Sequence, residues 1–222
     1  MSSTDGRVVP RRRDADRTRR DILDVATAEF AACGYAGARV DEIASRTSTT
    51  KRMIYYYFGS KEGLFEAVLE RAYGAIRAME QDLALTEHAP VPAIERYVRS
   101  TVVYHYEHPE LGKLVAVENL QGAVHLKARE RHLAMNSTVV DLVDAVLRRG
   151  RESGEFRADG PTALDLHLAV TALAIFRSTN VATIQAIFDH DLGAPVNVER
   201  WITEVTEMVL CRLTTKDRAG LG

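Results

Sequence analysis

The chain has 222 residues, of which 46% are hydrophobic and 27% charged, and its formal net charge is −2. This composition is typical of a globular protein, and the length allows one large domain or two small ones with a buried core. The two cysteines, Cys33 and Cys211, lie far apart without a C-x-x-C spacing, which excludes a disulfide framework and a zinc finger.

Targeting and membrane segments are not visible in the sequence. The N-terminus lacks the apolar stretch of a secretion signal. The longest nearly apolar run, residues 164–176, is interrupted by Asp165, His167 and Thr171 and is too short to cross a bilayer. We therefore expect a cytoplasmic protein that does not contact a membrane.

Residues 1–13 are polar, contain Gly and Pro, and end in three consecutive arginines. They predict a flexible basic arm. Helical periodicity begins after it, since Ile22, Ala26 and Phe30 fall on one face of a helix predicted at residues 16–33. Gly34 follows, where a left-handed conformation would end the helix.

Two short helices and a turn are predicted next. The second helix covers residues 39–46 and the third covers residues 50–57. Ser60 is a good N-cap for a fourth helix, because its hydroxyl can accept from a free backbone N–H. Residues 14–60 therefore predict a three-helix domain with a helix-turn-helix.

The third helix concentrates cations, hydroxyls and aromatic rings. Such side chains suit phosphates and the major groove of DNA better than a protein core. The residues predicted to contact DNA are Arg17, Thr50, Lys51, Arg52, Met53, Tyr55, Tyr56, Tyr57 and Lys61.

The motifs around this helix resemble the DNA-binding domain of the TetR family of bacterial transcriptional regulators. The matching motifs, spread over residues 17–70, are Phe30-Ala-Ala-Cys-Gly34-Tyr35, Ile43-Ala44, Ile54-Tyr-Tyr-Tyr-Phe58 and Gly59-Ser-Lys-Glu-Gly-Leu64. The chain departs from the family pattern at the turn, which reads Thr47-Ser48-Thr49-Thr50, and at Ala38, where the family has a capping Thr. We expect Ser or Thr side chains to hold this turn.

The resemblance implies that Tyr56 and Lys61 contact phosphates, and Lys51 is predicted to contact DNA because it lies exposed on the first turn of the helix. Arg is the commonest reader of guanine, so Arg52 is predicted to contribute specificity and Lys51 mainly affinity.

The charge is distributed unevenly along the chain. Residues 1–61 hold 12 Lys and Arg against 8 Asp and Glu, whereas residues 62–222 hold 17 against 23. A basic N-terminal segment followed by an acidic remainder is typical of a DNA-binding protein. The basic arm is then either a disordered tail or a segment that orders on DNA.

Beyond Leu64 the sequence predicts only helices, which gives an all-α fold of about nine. Residues 61–214 are predicted to form a ligand-binding and dimerisation domain, followed by a flexible tail at residues 215–222. The further helices are predicted near residues 61–85, 93–107, 110–120, 124–151, 162–180 and 197–213.

The last two long helices carry more apolar residues than one buried face requires. They form either core alone or, as the resemblance implies, a four-helix homodimer interface that presents two DNA-reading helices to a palindrome. The candidate interface residues are Leu168, Ala172, Trp201, Val205 and Met208.

Polar residues on otherwise apolar helices predict an effector pocket, because burying them unpaired is unfavourable. The candidates are Tyr73, Tyr97, Tyr104, His105, Glu118, Asn119, His167 and Arg177. Residues 109–122 and the region of Phe176 also resemble the RutR-like subgroup of the family. For the effector of this chain, that resemblance favours a small heterocycle or acid over a long acyl chain.

The function predicted is a ligand-responsive repressor, released from a palindromic double-stranded DNA operator by a small molecule. No nucleophile motif or Glu-x-x-His pair favours an enzyme, and we predict no metal and no cofactor. The alternative is a dimeric helical sensor that acts through a protein partner rather than DNA.

Overall fold

The computed structural model describes residues 10–128 and 138–214. Residues 1–9 of the predicted arm and the whole predicted tail, 215–222, lie outside the described residues. The helices are α1 Pro10–Gly37, α2 Val40–Ser45, α3 Lys51–Phe58, α4 Lys61–Gln81, α5 Pro90–Glu107, α6 Pro109–Leu120, α7 Val124–Ala128, α8 Thr138–Glu152, α9 Ala163–Thr179, α10 Val181–Phe188 and α11 Pro195–Leu213, with a short 3₁₀-helix at Leu85–Glu87.

The all-α prediction is confirmed. Across the described ranges the only β feature is an isolated bridge between Phe156 and Thr214. Helix α1 begins at Pro10, earlier than predicted, because proline suits the first helical position. The helix predicted at residues 124–151 is described only in its end segments, α7 and α8. Helix α9 stops at Thr179 and α10 follows, so the described helices number more than the nine predicted.

The chain divides into two compact units. Of the described residues, 10–73 and 113–128 form the N-terminal unit, and 74–112 and 138–214 form the C-terminal unit. The division differs from the boundary predicted at residue 60. Helices α4 and α6 each contribute residues to both units.

The N-terminal unit is built on one apolar cluster. Ile22, Phe30, Ile43, Ile54 and Phe65 are all essentially inaccessible to solvent. The ring centroids of Phe30 and Phe65 lie 4.9 Å apart in an edge-to-face arrangement, which aromatic quadrupoles favour. The core therefore fixes α1, α2, α3 and the start of α4 against one another.

The C-terminal unit has its own core, formed mainly by α5, α8, α9 and α11. Val98, Val143, Val170 and Val205 are fully buried in it. None of the described helices combines the length and the hydropathy needed to cross a membrane.

Candidate DNA-binding surface and effector site

Helix α3, the predicted recognition helix, is fixed at both ends. Thr50 is its N-cap, and the hydroxyl oxygen accepts from the backbone N–H of Met53 at 3.3 Å. Ile54 is buried on its inner side. After Gly59, which has a positive φ of 77°, Ser60 caps α4 by accepting from the N–H of Gly63 at 3.0 Å, as predicted.

The turn between α2 and α3 holds its bend as the sequence predicts. The Thr47 hydroxyl donates to the carbonyl of Ala44 at 3.2 Å. A carboxylate from α1 also contributes, since Asp21 accepts from the backbone N–H of Ser48 at 3.4 Å. Local Ser and Thr chemistry thus replaces the glycine that tight turns often use.

Helix α2 has no side-chain cap of its own, in agreement with the prediction from Ala38. Glu29 of α1 supplies the missing acceptor, because its Oε1 accepts from the backbone N–H of Arg39 at 3.2 Å. Its Oε2 lies 3.5 Å from the Arg46 guanidinium. Sequence reasoning missed Glu29, because its partners are ten or more positions away.

The outer face of α3 presents a mixed basic and aromatic surface. Lys51, Arg52, Tyr55 and Tyr56 are exposed, and the Tyr56 side chain retains 78% of its accessible surface. Arg52 forms no hydrogen bond or ion pair within the described ranges. Its five donors are therefore available to a base edge or a phosphate.

Lys51 is paired in the free protein. Its Nζ lies 2.9 Å from Asp41 of α2, and this hydrogen bond raises the pKa of the lysine. Arg39 is also close enough for its charge to act on Lys51. Asp41 therefore orients Lys51 at the surface, and sequence reasoning did not identify Arg39 as a neighbouring cation.

The other predicted contacts differ in exposure. Arg17 and Thr50 are exposed, whereas Met53 is half-buried. Tyr57 is half-buried against the N-terminal core. Lys61 donates to the carbonyl of Ala36 at 3.3 Å and lies over the ring of Tyr35.

Four of the predicted effector contacts come together in the C-terminal unit, with two residues not predicted, Glu80 and Thr171. We call Glu80, Tyr97, Tyr104, His105, His167 and Thr171 the polar cluster. The Tyr97 hydroxyl is 2.9 Å from Nδ1 of His167. The charge of Glu80 reaches both tyrosines, because it contributes, after burial, to the raised pKa of each phenol.

The histidines of the polar cluster are neutral near pH 7. Burial, followed by the charges of His108 and His167, lowers the pKa of His105 to about 4. Burial also lowers the pKa of His167. The His105 Nδ1 is buried and has no hydrogen-bond partner in the described part of the chain, whereas Thr171 interacts with the Tyr97 hydroxyl. The unpaired nitrogen of His105 is a group with which a polar ligand would form a hydrogen bond.

The remaining predicted effector residues are not members of the polar cluster. Tyr73, Glu118 and Asn119 belong to the N-terminal unit. The buried Glu118 carboxylate accepts from the backbone N–H groups of His125 and Leu126 and contacts Nδ1 of His125 at 2.8 Å. Glu118 is thus fully engaged in holding α7. Asn119 is exposed.

Arg177 borders a different, mainly apolar cavity of about 230 Å³ in the C-terminal unit. Its Nη2 donates to the carbonyls of Leu192 and Asn197, and its guanidinium lies 5.3 Å from the Trp201 ring centroid. These contacts tie α9 to the start of α11. Arg177 is therefore engaged in holding this segment and is separate from the polar cluster.

The predicted interface residues also divide by exposure. Leu168, Ala172 and Met208 are exposed, and Trp201 is half-buried. Val205 is fully buried in the core of its own unit, so it is unavailable to a second copy. Other large apolar side chains exposed in this unit are Leu164, Phe176, Val181, Ile187, Phe188 and Val196. Exposed apolar surface on this scale is typical of a protein–protein interface.

No group of three or more His, Cys, Asp or Glu side chains that could hold a metal ion occurs within residues 10–128 and 138–214.

Two family models match the chain. Residues 22–68 match the model "Bacterial regulatory proteins, tetR family" and residues 90–209 match "Tetracyclin repressor-like, C-terminal domain". The second match alone covers more than half of the chain.

Named relatives agree with these models. The HTH-type transcriptional repressor NicS of Pseudomonas putida is 32% identical over 200 residues, which cover 90% of this chain and 94% of NicS. The HTH-type transcriptional repressor SCO4008 of Streptomyces coelicolor is 34% identical over 73% of this chain and 79% of its own length. RutR of Escherichia coli is 31% identical over 51% of this chain and 53% of RutR.

Solved structures share the fold. The putative transcriptional regulator SCO4942 from Streptomyces coelicolor superimposes with a TM-score of 0.64 at 24% identity, over 86% of this chain and 97% of that one. A putative fatty acid metabolism regulator of Clostridium perfringens gives a TM-score of 0.65 at 23% identity, over 88% and 100%. The recognition helix, the helical body and the sequence matches agree, and the chain belongs to the TetR family of bacterial transcriptional regulators.

Proposed function

We propose that the protein is a homodimeric repressor that binds a palindromic operator through α3 of each subunit. The observation that carries this proposal is the outer face of α3, where Arg52, Tyr55 and Tyr56 are exposed beside Lys51. The helix itself is held by the Thr50 cap and by buried Ile54. A rigid helix with exposed donors suits the major groove.

A dimer follows from the symmetry of such an operator. Two-fold related subunits place two recognition helices about one turn of DNA apart, which doubles the contacts without a second reading domain. The exposed apolar residues Leu168, Ala172 and Met208 on α9 and α11 support this interface. Operator binding implies that the protein acts in the cytoplasm, where bacterial DNA lies.

The effector is proposed to bind at the polar cluster. Helices α4 and α6 contribute residues to both units. A shift of either helix on effector binding would therefore change the spacing of the two recognition helices. The effector then favours a state in which their spacing no longer matches the operator. A preference of about 10⁴-fold for that state would move the population from 1:99 to 99:1.

The experiment is selection of duplexes from a random library by the purified full chain, with Tyr56→Ala as the comparison. We expect the wild-type chain to enrich one palindrome and the variant to enrich it weakly or not at all. A folded wild-type dimer that enriches no sequence would contradict the proposal, as would equal enrichment by Tyr56→Ala.

A further inference from the structure

Glu80 is a buried carboxylate of the C-terminal unit that has no partner among the described residues. It lies at the end of α4 with only 7% of its surface exposed. Within the described ranges its carboxylate forms no hydrogen bond and no ion pair. A buried carboxylate is normally paired, because removing its charge from water is costly.

Among the described residues, the groups that interact with Glu80 supply no matching cation at ion-pair distance. The charge of Glu80 acts on Tyr97 and Tyr104 of α5, and the Tyr97 hydroxyl lies 2.9 Å from Nδ1 of His167 on α9. Among the described residues, the opposing charge that acts on Glu80 is Arg77, one turn earlier on α4, and the two side chains form no ion pair.

The charges that border the cluster are also acidic on balance. Glu110 acts on Tyr104 together with Glu80, and it lies 3.3 Å from Nδ1 of His108. Because His105 and His167 are neutral near pH 7, they offer hydrogen bonds rather than positive charge. An anion entering this cluster would meet two carboxylates, whereas a cation would meet two phenol rings and a free carboxylate.

We propose that the polar cluster takes an organic cation, with its protonated nitrogen against the Glu80 carboxylate and its body against the rings of Tyr97 and Tyr104. This inference rests on the proposed function, since it names the chemical class of the effector. The attraction has two sources, the buried ion pair and the negative faces of the aromatic rings. His105 would gain a hydrogen-bond partner from the same ligand.

The proposal carries a pH dependence. Burial raises the pKa of Glu80 to about 7, and a cation binds the ionised carboxylate. Binding therefore releases a proton from Glu80 and is tighter at pH 8 than at pH 6. The other groups bordering the site are Arg77 on α4, Tyr97, Tyr104 and His105 on α5, His108 just before α6, Glu110 on α6, and His167 on α9. Burial lowers the pKa of His105 to about 4, below this range, and also lowers the pKa of His167.

The test measures the melting temperature of the full chain with matched probes. Benzamidine and tryptamine are the cations, and benzoate and indole-3-acetate are the anions of similar shape. The variants are Glu80→Gln, which keeps the size of the side chain, and Glu95→Gln, an exposed control on α5. Tyr104→Leu is a second test variant that removes an aromatic face without touching the carboxylate.

We expect the cations, and not the anions, to raise the melting temperature of the wild-type chain and Glu95→Gln. The rise should be largely lost in Glu80→Gln, weakened in Tyr104→Leu, and smaller at pH 6 than at pH 8. Equal or greater stabilisation by the anions would overturn the proposal. A full response of Glu80→Gln, or no response of the wild-type chain to either cation, would do the same.

Operator selection by the wild-type chain distinguishes a failure of the proposed effector class from a failure of the proposed repressor function. A chain that selects a palindrome but does not respond to cations refutes the effector class alone. A chain that responds to cations but selects no DNA refutes the repressor function.

Discussion

Tyr56 and Tyr57 are neighbours in sequence but occupy different environments. Tyr56 is exposed, whereas Tyr57 is half-buried against the N-terminal core, and their ring centroids are 5.5 Å apart. The sequence predicted DNA contacts for both, because eight residues with few aliphatic side chains do not reveal which face is inward. The fold assigns the inner face through Ile54, so Tyr56 is the better candidate for a phosphate contact.

At Lys51, the expected effect of removing the charge is a loss of affinity that is independent of DNA sequence. Lys51→Ala should weaken operator binding and reduce the slope of log affinity against log salt by about one. Titrations of labelled operator at several salt concentrations measure this slope. Lys113→Ala removes an exposed lysine of α6 as a matched control. An unchanged slope in Lys51→Ala would show that Lys51 stays paired with Asp41 on DNA.

Glu29 illustrates a role that sequence could not reveal. The absence of a cap on α2 was predictable from Ala38, but the replacement comes from a carboxylate ten residues earlier. Glu29→Ala should lower the free energy of unfolding by about 1–2 kcal/mol, because it leaves the start of α2 and Arg46 without their acceptor. Urea unfolding followed by circular dichroism measures the loss. Asp16→Asn, at an exposed position of α1, should change it little; equal stability of both variants would remove this role from Glu29.

At the scale of the helix, the sequence predicted α3, its Thr-containing turn and the Ser60 cap, because each depends on residues within four positions. It could not divide the apolar positions of α9 between core and surface. Val170 and Ala174 are buried, while Leu168 and Phe176 are exposed. Both sets repeat at helical spacing, so only the packing of α9 on α5 and α8 separates them.

Helix α4 carries one pH-dependent element of the fold, Glu80. Burial raises the pKa of Glu80 from 4.5 to about 7 in the folded chain. Between pH 4.5 and about pH 7, the folded chain therefore holds a proton on Glu80 that the unfolded chain has released. Glu80 therefore reduces stability progressively as the pH rises through this window. Glu80→Gln should be the more stable protein at pH 8 by roughly 2 kcal/mol, and the advantage should vanish near pH 4. Denaturant titrations at pH 4 and pH 8 measure the stability of both proteins. A stability difference that is the same at the two pH values would contradict this prediction.

At the scale of the whole chain, the N-terminal unit is not continuous in sequence. Residues 113–129 join it, since Leu114 is buried in its core and His125 lies against the rings of Tyr35 and Phe65. Glu118 locks His125 in place. The sequence predicted Glu118 as an effector contact, because a polar residue on an apolar helix does not reveal whether its partner is a ligand or another part of the chain.

The proposed dimer interface gives a prediction about assembly. Leu168→Glu places a charge on the exposed face of α9 and should convert the dimer to a monomer, because a charge buried between two subunits has no partner. Sedimentation velocity measures the mass of the variant. Leu120→Glu changes an equally apolar, exposed side chain on α6 and should remain dimeric. A dimeric Leu168→Glu protein would place the interface elsewhere.

The most direct test of the account is whether α3 reads bases, and Arg52 is the residue that decides it. Random-library selection would be repeated with Arg52→Ala and with Lys51→Ala. We predict that Lys51→Ala enriches the wild-type palindrome with lower affinity, whereas Arg52→Ala loses the preference at one base pair of each half-site, at a cost of about 1–3 kcal/mol. An unchanged base preference in Arg52→Ala would contradict the assignment of α3 as the helix that determines sequence.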